Sequence, residues 1–139
     1  MKTVVNWRGG VHFQADTDSG HTLDMDGAPS IGGENKGARP MEMVLAGLGG
    51  CSSIDVMTML QKSRQDVKDC QVQIEAQRAD AVPAIFTKIH MHFVVKGTGL
   101  NENHVKRAVQ LSADKYCSVS IMLSKGGVEI SHTYEIQEA

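Results

Sequence analysis

Two of the three cysteines in this 139-residue chain sit where a thiol could do chemistry. Cys51 follows the run Pro40-Met41-Glu42-Met43-Val44-Leu45-Ala46-Gly47-Leu48-Gly49-Gly50, and Cys117 lies in Lys115-Tyr116-Cys117-Ser118-Val119-Ser120. Sixty-six residues separate them, so only the fold can pair them. Brought together, they form a dithiol able to reduce an oxidant and close to a disulfide. Kept apart, they are two small apolar core residues.

The neighbours of each thiol sharpen the first reading. Gly47, Gly49 and Gly50 fall in mid-helix, where each costs roughly 0.5–1 kcal/mol relative to Ala. Gly47 lies one turn before Cys51 and Gly50 beside it, so both clear side chains from the sulfur. The same glycines would also allow close helix packing around an inert cysteine. Ser52 and Ser53 add hydroxyls to an otherwise apolar helix. Cys117 falls where one helix ends and another short segment begins. There the helix dipole and free N–H groups are expected to lower its pKa, with Lys115 adding positive potential. Cys70 alternates with glutamines on the apolar side of a strand and reads as structural.

Other constellations carry less. His90 and His92 share one strand face, but no third ligand is near in sequence, and a zinc site built on Cys51 and Cys117 lacks structural-zinc spacing. No metal and no cofactor is therefore expected. Gly9-Gly10, Gly32-Gly33 and Gly126-Gly127 are turns, none opening a helix in phosphate-loop form. Met41, Met43, Met57 and Met59 read as flexible core packing, or as the lining of an apolar channel.

The elements that must position the thiols are legible in the pattern. Val5, Trp7, Val11, Phe13 and Ala15 alternate with polar residues around Gly9-Gly10, and Leu23 and Met25 give a third short strand. Residues 27–39 are rich in Gly, Pro, Ser and Asn, a loop long enough to form a lid or site wall. Pro40 opens a helix to about Lys62, apolar on nearly all sides, which calls for burial against a sheet or another subunit. Cys70, Val72, Ile74 and Ala76 form a half-buried strand, with Ile89, Met91, Phe93 and Val95 as its hairpin partner. Asn101 or Asn103 caps a helix through Val105, Ala108, Val109, Ser112 and Tyr116. A short apolar segment follows, and Val128 to Ile136 alternate as a last strand. Strands, helix, strands, helix, strand is an α+β pattern with antiparallel sheets. It divides one domain, 1–139, into strands and loop (1–39), central helix (40–63), hairpin (67–97), helices with Cys117 (101–124) and final strand (127–137).

Composition is that of an ordinary globular chain: 41% hydrophobic, 22% charged, net charge −2. Interspersed charge gives no footprint for nucleic acid or an anionic membrane. No uninterrupted apolar run approaches 18 residues, so no membrane span is expected. The N-terminus reads straight into a strand rather than a leader. The expected location is cytoplasmic, where an odd cysteine count and a reducing poise make catalytic disulfides commoner than structural ones.

Taken together, Pro40 to Cys51 and Tyr116-Cys117-Ser118-Val119-Ser120 resemble the two motifs of the OsmC/Ohr family of organic hydroperoxide reductases, over nearly the whole chain. Within it the likeness is to the YhfA-type OsmC-like proteins. The resemblance implies an intertwined homodimer, antiparallel sheets wrapping two central helices, with sites at the subunit boundary. It implies Cys51 as the peroxidatic thiol, Cys117 as the resolving one, an organic hydroperoxide as substrate and a dithiol or lipoyl reductant, in oxidative-stress defence. The family's hydroperoxidases support the thiolate with a Glu ten residues before the Cys and an N-terminal Arg. Here the tenth residue is Met41 and the Glu is Glu42. Arg8 precedes the glycines rather than following them, Arg39 abuts the helix, and Ser118 replaces a Pro. Glu42, Arg39 and Arg8 are the candidate supports. The departures leave open a non-catalytic reading, a small-molecule binder or thiol redox sensor on the same scaffold, or cysteines that serve packing alone.

Overall fold

Alternating apolar residues at the N-terminus build an antiparallel meander of β1 (Thr3–Trp7), β2 (Phe13–Thr17) and β3 (Thr22–Met25). Val5 stands opposite Ala15 and Trp7 opposite Phe13. The turn between β1 and β2 uses Gly9 and Gly10 at φ of +98° and +54°, a region open to glycine at little steric cost. These elements are seen in a computed structural model that describes all 139 residues.

The stretch 27–39 is pinned at its base. The carboxylate of Asp26, 2% exposed, accepts hydrogen bonds from the backbone N–H groups of Gly27 (2.8 Å), Glu34 (2.9 Å) and Lys36 (3.1 Å). Those amides hold the Asp26 carboxyl below the usual carboxylate range. A short 3₁₀ turn, Pro29–Ile31, and a bridge between Met25 and Ala38 further shape the loop.

The chain divides into two units, Met1–Ala46 and Gly47–Ala139. In the second, β4 (Asp66–Arg78) and β5 (Phe86–Thr98) form the expected hairpin. The expectation of wholly antiparallel sheets is corrected here: β6 (Glu129–Glu138) runs parallel to β5. The physical reason is the crossover. The helical segment between β5 and β6 carries the chain back along the sheet, and such a return sets the next strand parallel. Phe86, Ile89, Met91, Phe93 and Val95 of β5 are buried, as are Val105, Ala108 and Val109 of α2 (Glu102–Leu111). Asn101 caps α2 through its side-chain oxygen, which accepts from the N–H of Asn103.

The long helix α1 runs Pro40–Lys62. Leu48, Ser52, Val56 and Leu60 recur every four residues and are buried as one stripe. Much of the remaining apolar surface is uncovered by this chain; Ile54 is 69% exposed. By length and composition alone α1 could cross a membrane. The core helix of a water-soluble protein passes the same test, and the buried stripe of α1 packs within this chain.

Candidate active site

α1 delivers Cys51 to the site at half-burial, and two segments after α2 deliver Cys117. A single π-helical turn, Ser112–Tyr116, ends with the N–H of Cys117 donating to the Ser112 carbonyl at 2.8 Å. Cys117 is then extended (φ −75°, ψ 104°) and forms the N-cap of α3 (Ser118–Lys125). Its sulfur takes the place of the usual Ser, Thr, Asp or Asn oxygen, accepting from the N–H of Ser120 at 3.4 Å. Ser118 then occupies the first helical position.

The fold makes the two thiols neighbours. Cys51 Sγ, Cys117 Sγ and a carboxylate oxygen of Asp55 all lie within 4.8 Å of one another. Cys117 is fully buried, 0% exposed, and Cys51 is the accessible member. Ser52 Oγ donates to Cys117 Sγ at 3.1 Å. Ser112 Oγ reaches the Ser52 carbonyl at 3.3 Å and Asp55 Oδ2 at 3.2 Å. Ser52, Ser112 and Ser120 are themselves buried.

The protonation of Cys117 departs from the sequence expectation. Burial pushes its thiol up, against the hydrogen bonds from Ser52 and Ser120, and the adjacent Cys51 adds to the rise. The expectation of a lowered value is therefore corrected: one N–H from Ser120 does not offset removal from water. Lys115 plays no part in it; its ammonium lies 5.4 Å above the Tyr116 ring. Cys70 is half-buried in β4, with its thiol also pushed up by burial.

The glycines divide their roles differently from the sequence reading. A Cβ at Gly49 would lie 2.9 Å from Ile74 Cδ1 and 3.3 Å from Val72 Cγ1, so Gly49 lets α1 approach β4. Gly47 and Gly50 face open space within this chain. A cleft of about 580 Å³ adjoins the thiols through Asp55 and is walled by Met59, Lys62, His104, Arg107 and Tyr116, among others.

The three candidate supports are engaged locally. Glu42 Oε1 accepts from the Arg39 N–H at 2.8 Å, so it caps α1. Arg39 Nη1 donates to Asn35 Oδ1 and the Gly37 carbonyl, and Arg8 Nε donates to Gln14 Oε1. His90 and His92 form a ladder with Ser131, Thr133 and Glu135 of β6, a polar sheet face rather than free imidazoles. Asp55 and Ser112 were not singled out by the sequence. Asp55 had a signal: it is the one charged residue of α1 between Glu42 and Lys62, one turn after Cys51.

The family model for OsmC-like protein matches residues 33–133. The chain is 48% identical over 139 residues to Protein YhfA of Escherichia coli K12, with both chains covered completely. A crystal structure of a hypothetical protein from Aquifex aeolicus VF5 is 30% identical, with 99% of this chain and 96% of that one covered and a TM-score of 0.86. The organic hydroperoxide resistance protein OsmC from Legionella pneumophila is 20% identical, with 97% of each chain covered and a TM-score of 0.71, a likeness of fold.

Proposed function

The chain belongs to the OsmC-like protein family, and on that premise we propose that it reduces organic hydroperoxides with Cys51 and Cys117. The observation that carries this reading is the approach of the two sulfurs to within 4.8 Å, one accessible and one buried. The Cys51 thiolate attacks the distal peroxide oxygen. The O–O bond breaks, the alkoxide leaves and takes a proton as the alcohol, and Cys51 becomes a sulfenic acid. Cys117 sulfur then attacks Cys51 sulfur. The S–S bond forms, the S–O bond breaks, and the hydroxide leaves as water with the Cys117 proton. Asp55, close to both sulfurs, is placed to carry that proton. A dithiol, small or lipoyl-borne, restores both thiols through a mixed disulfide.

The uncovered apolar surface supports a homodimer as the working form. Ile54 and Met122 are each more than 60% exposed in the single chain, a state that a second copy would relieve. A reducing cytoplasm suits the cycle, since it keeps the resting dithiol open.

Consumption of cumene hydroperoxide with a dithiol donor tests the activity. Turnover by the wild type should vanish in Cys51→Ser; equal rates in the two would remove the enzymatic claim. A second reading, a thiol redox sensor, draws on a different observation. An acid, Asp55, lies beside the thiols, while Glu42, Arg39 and Arg8 hold local contacts. A sensor would form the disulfide once per oxidant and turn over slowly with any dithiol. The non-catalytic binder predicts no disulfide at all.

A further inference from the structure

We propose that Cys51, Asp55 and Cys117 form a three-donor site for a thiophilic divalent cation, Zn²⁺ in the first instance, with the fourth tetrahedral position left to water. Sequence spacing argued against a zinc site because no Cys-x-x-Cys pair is present. Spacing ceases to matter once the fold has placed two sulfurs and a carboxylate oxygen within 4.8 Å of one another. Tetrahedral zinc, with Zn–S of about 2.3 Å and Zn–O of about 2.0–2.2 Å, sets its ligand atoms roughly 3.4–3.8 Å apart. An inward movement of an ångström or so at most closes the set.

The supporting contacts of a metal site are already made. Metal ligands are commonly held by hydrogen bonds from a surrounding shell, and these tune affinity. Cys117 Sγ accepts from Ser52 Oγ at 3.1 Å and Ser120 N–H at 3.4 Å, and Asp55 Oδ2 accepts from Ser112 Oγ at 3.2 Å. Cys51 and Asp55 stand one helical turn apart on α1 and present a two-donor face. Cys117 is fixed by its N-cap role on α3. Two thiolates and a carboxylate balance the cation's charge with one negative charge over, which suits a d¹⁰ ion that tolerates sulfur.

Binding is an acid–base exchange with no electron transfer. Each thiol gives its proton to the buffer as its Zn–S bond forms. The consequence is competition between metal and oxidant for one pair of sulfurs. Zinc-held thiols cannot form the disulfide, and the disulfide has no thiolate left to offer. The site therefore stands whether the thiols serve peroxide turnover or sensing, and its test does not use hydroperoxide consumption.

The probe is Cd²⁺, followed by Zn²⁺ in competition, added to the reduced, chelator-washed full chain under anaerobic conditions. Thiolate-to-cadmium absorption should saturate at one equivalent per chain and be displaced by Zn²⁺. Cys70→Ser should bind as the wild type does. Asp55→Asn should weaken binding about 10-fold or more. Wild type oxidised to the Cys51–Cys117 disulfide removes both sulfurs without a mutation and should bind no cadmium. Substoichiometric or absent absorption in the reduced chain would overturn the site. So would full binding by the oxidised chain, loss of binding on Cys70→Ser, or Asp55→Asn affinity equal to the wild type.

Discussion

Removing the Ser52 hydroxyl isolates the second half of the cycle. Ser52 Oγ donates to Cys117 Sγ at 3.1 Å in a pocket where both residues are buried. A hydrogen bond to a neutral acceptor contributes about 0.5–1.5 kcal/mol, and one to a charged acceptor about 1.5–3 kcal/mol. Ser52→Ala therefore disfavours the Cys117 thiolate relative to its thiol by about 1.4 kcal/mol, a factor of about ten in population. Ser120 N–H remains, so ionisation is weakened rather than abolished. Disulfide closure should slow about threefold, because the more basic thiolate that remains is also the better nucleophile, while oxidation of Cys51 keeps its wild-type rate. The assay is rapid mixing with cumene hydroperoxide, trapping Cys51 sulfenic acid with a dione while following disulfide formation by mass spectrometry. Ser52→Ala should accumulate trapped sulfenate that the wild type passes over. An unchanged closure rate in a folded Ser52→Ala chain would refute the assignment of Ser52 to Cys117.

Other consequences follow from particular contacts. Leu60→Ala empties a fully buried position on α1 and should lower unfolding free energy by about 2–5 kcal/mol in urea titration. Gly50→Ala, facing open space, should raise helix stability by about 0.5–1 kcal/mol. Gly49→Ala should show less gain or a loss, because its Cβ meets Ile74 and Val72; equal midpoints for the two would contradict the packing of α1 on β4. Asp26→Ala should destabilise the chain in a pH-dependent way. The folded carboxyl titrates below its ordinary value of 3.8, so its contribution is present in full above that value and fades as pH falls through the depressed one. Denaturation at pH 6 should separate wild type from variant more than at pH 2, and a gap independent of pH would contradict the amide cradle. Ile54→Asp should convert the proposed homodimer to monomer in sedimentation, and a variant still dimeric would move the interface off that face of α1.

Much of this architecture is legible in the residues because local rules decide it. Pro40 at the first helical position and the long apolar run set α1 to its observed limits. Period-two alternation marks β4 and β5, and Asn101 announces α2. The direction of β6 is not local. Its alternation reads the same in either sense, and only the helical crossover sets it parallel to β5. The thiol pair is legible as two motifs, but the protonation of Cys117 is not. Sequence reveals a helix start but not the depth of burial, and here burial outweighs the cap. Glu42 was readable either as a helix cap or as chemistry, and its bond to the Arg39 N–H is the cap. Asp55 belongs to neither cysteine motif; its significance comes from Ser112 and Cys117, which the fold brings from 57 and 62 residues away.

Peptide mapping of the reduced protein after one equivalent of organic hydroperoxide tests the thiol pairing most directly. The account predicts a single new species, the Cys51 peptide joined to the Cys117 peptide within one chain, with Cys70 still free to alkylate. Cys51 driven to sulfinic acid, or linked to any sulfur other than Cys117, would contradict it.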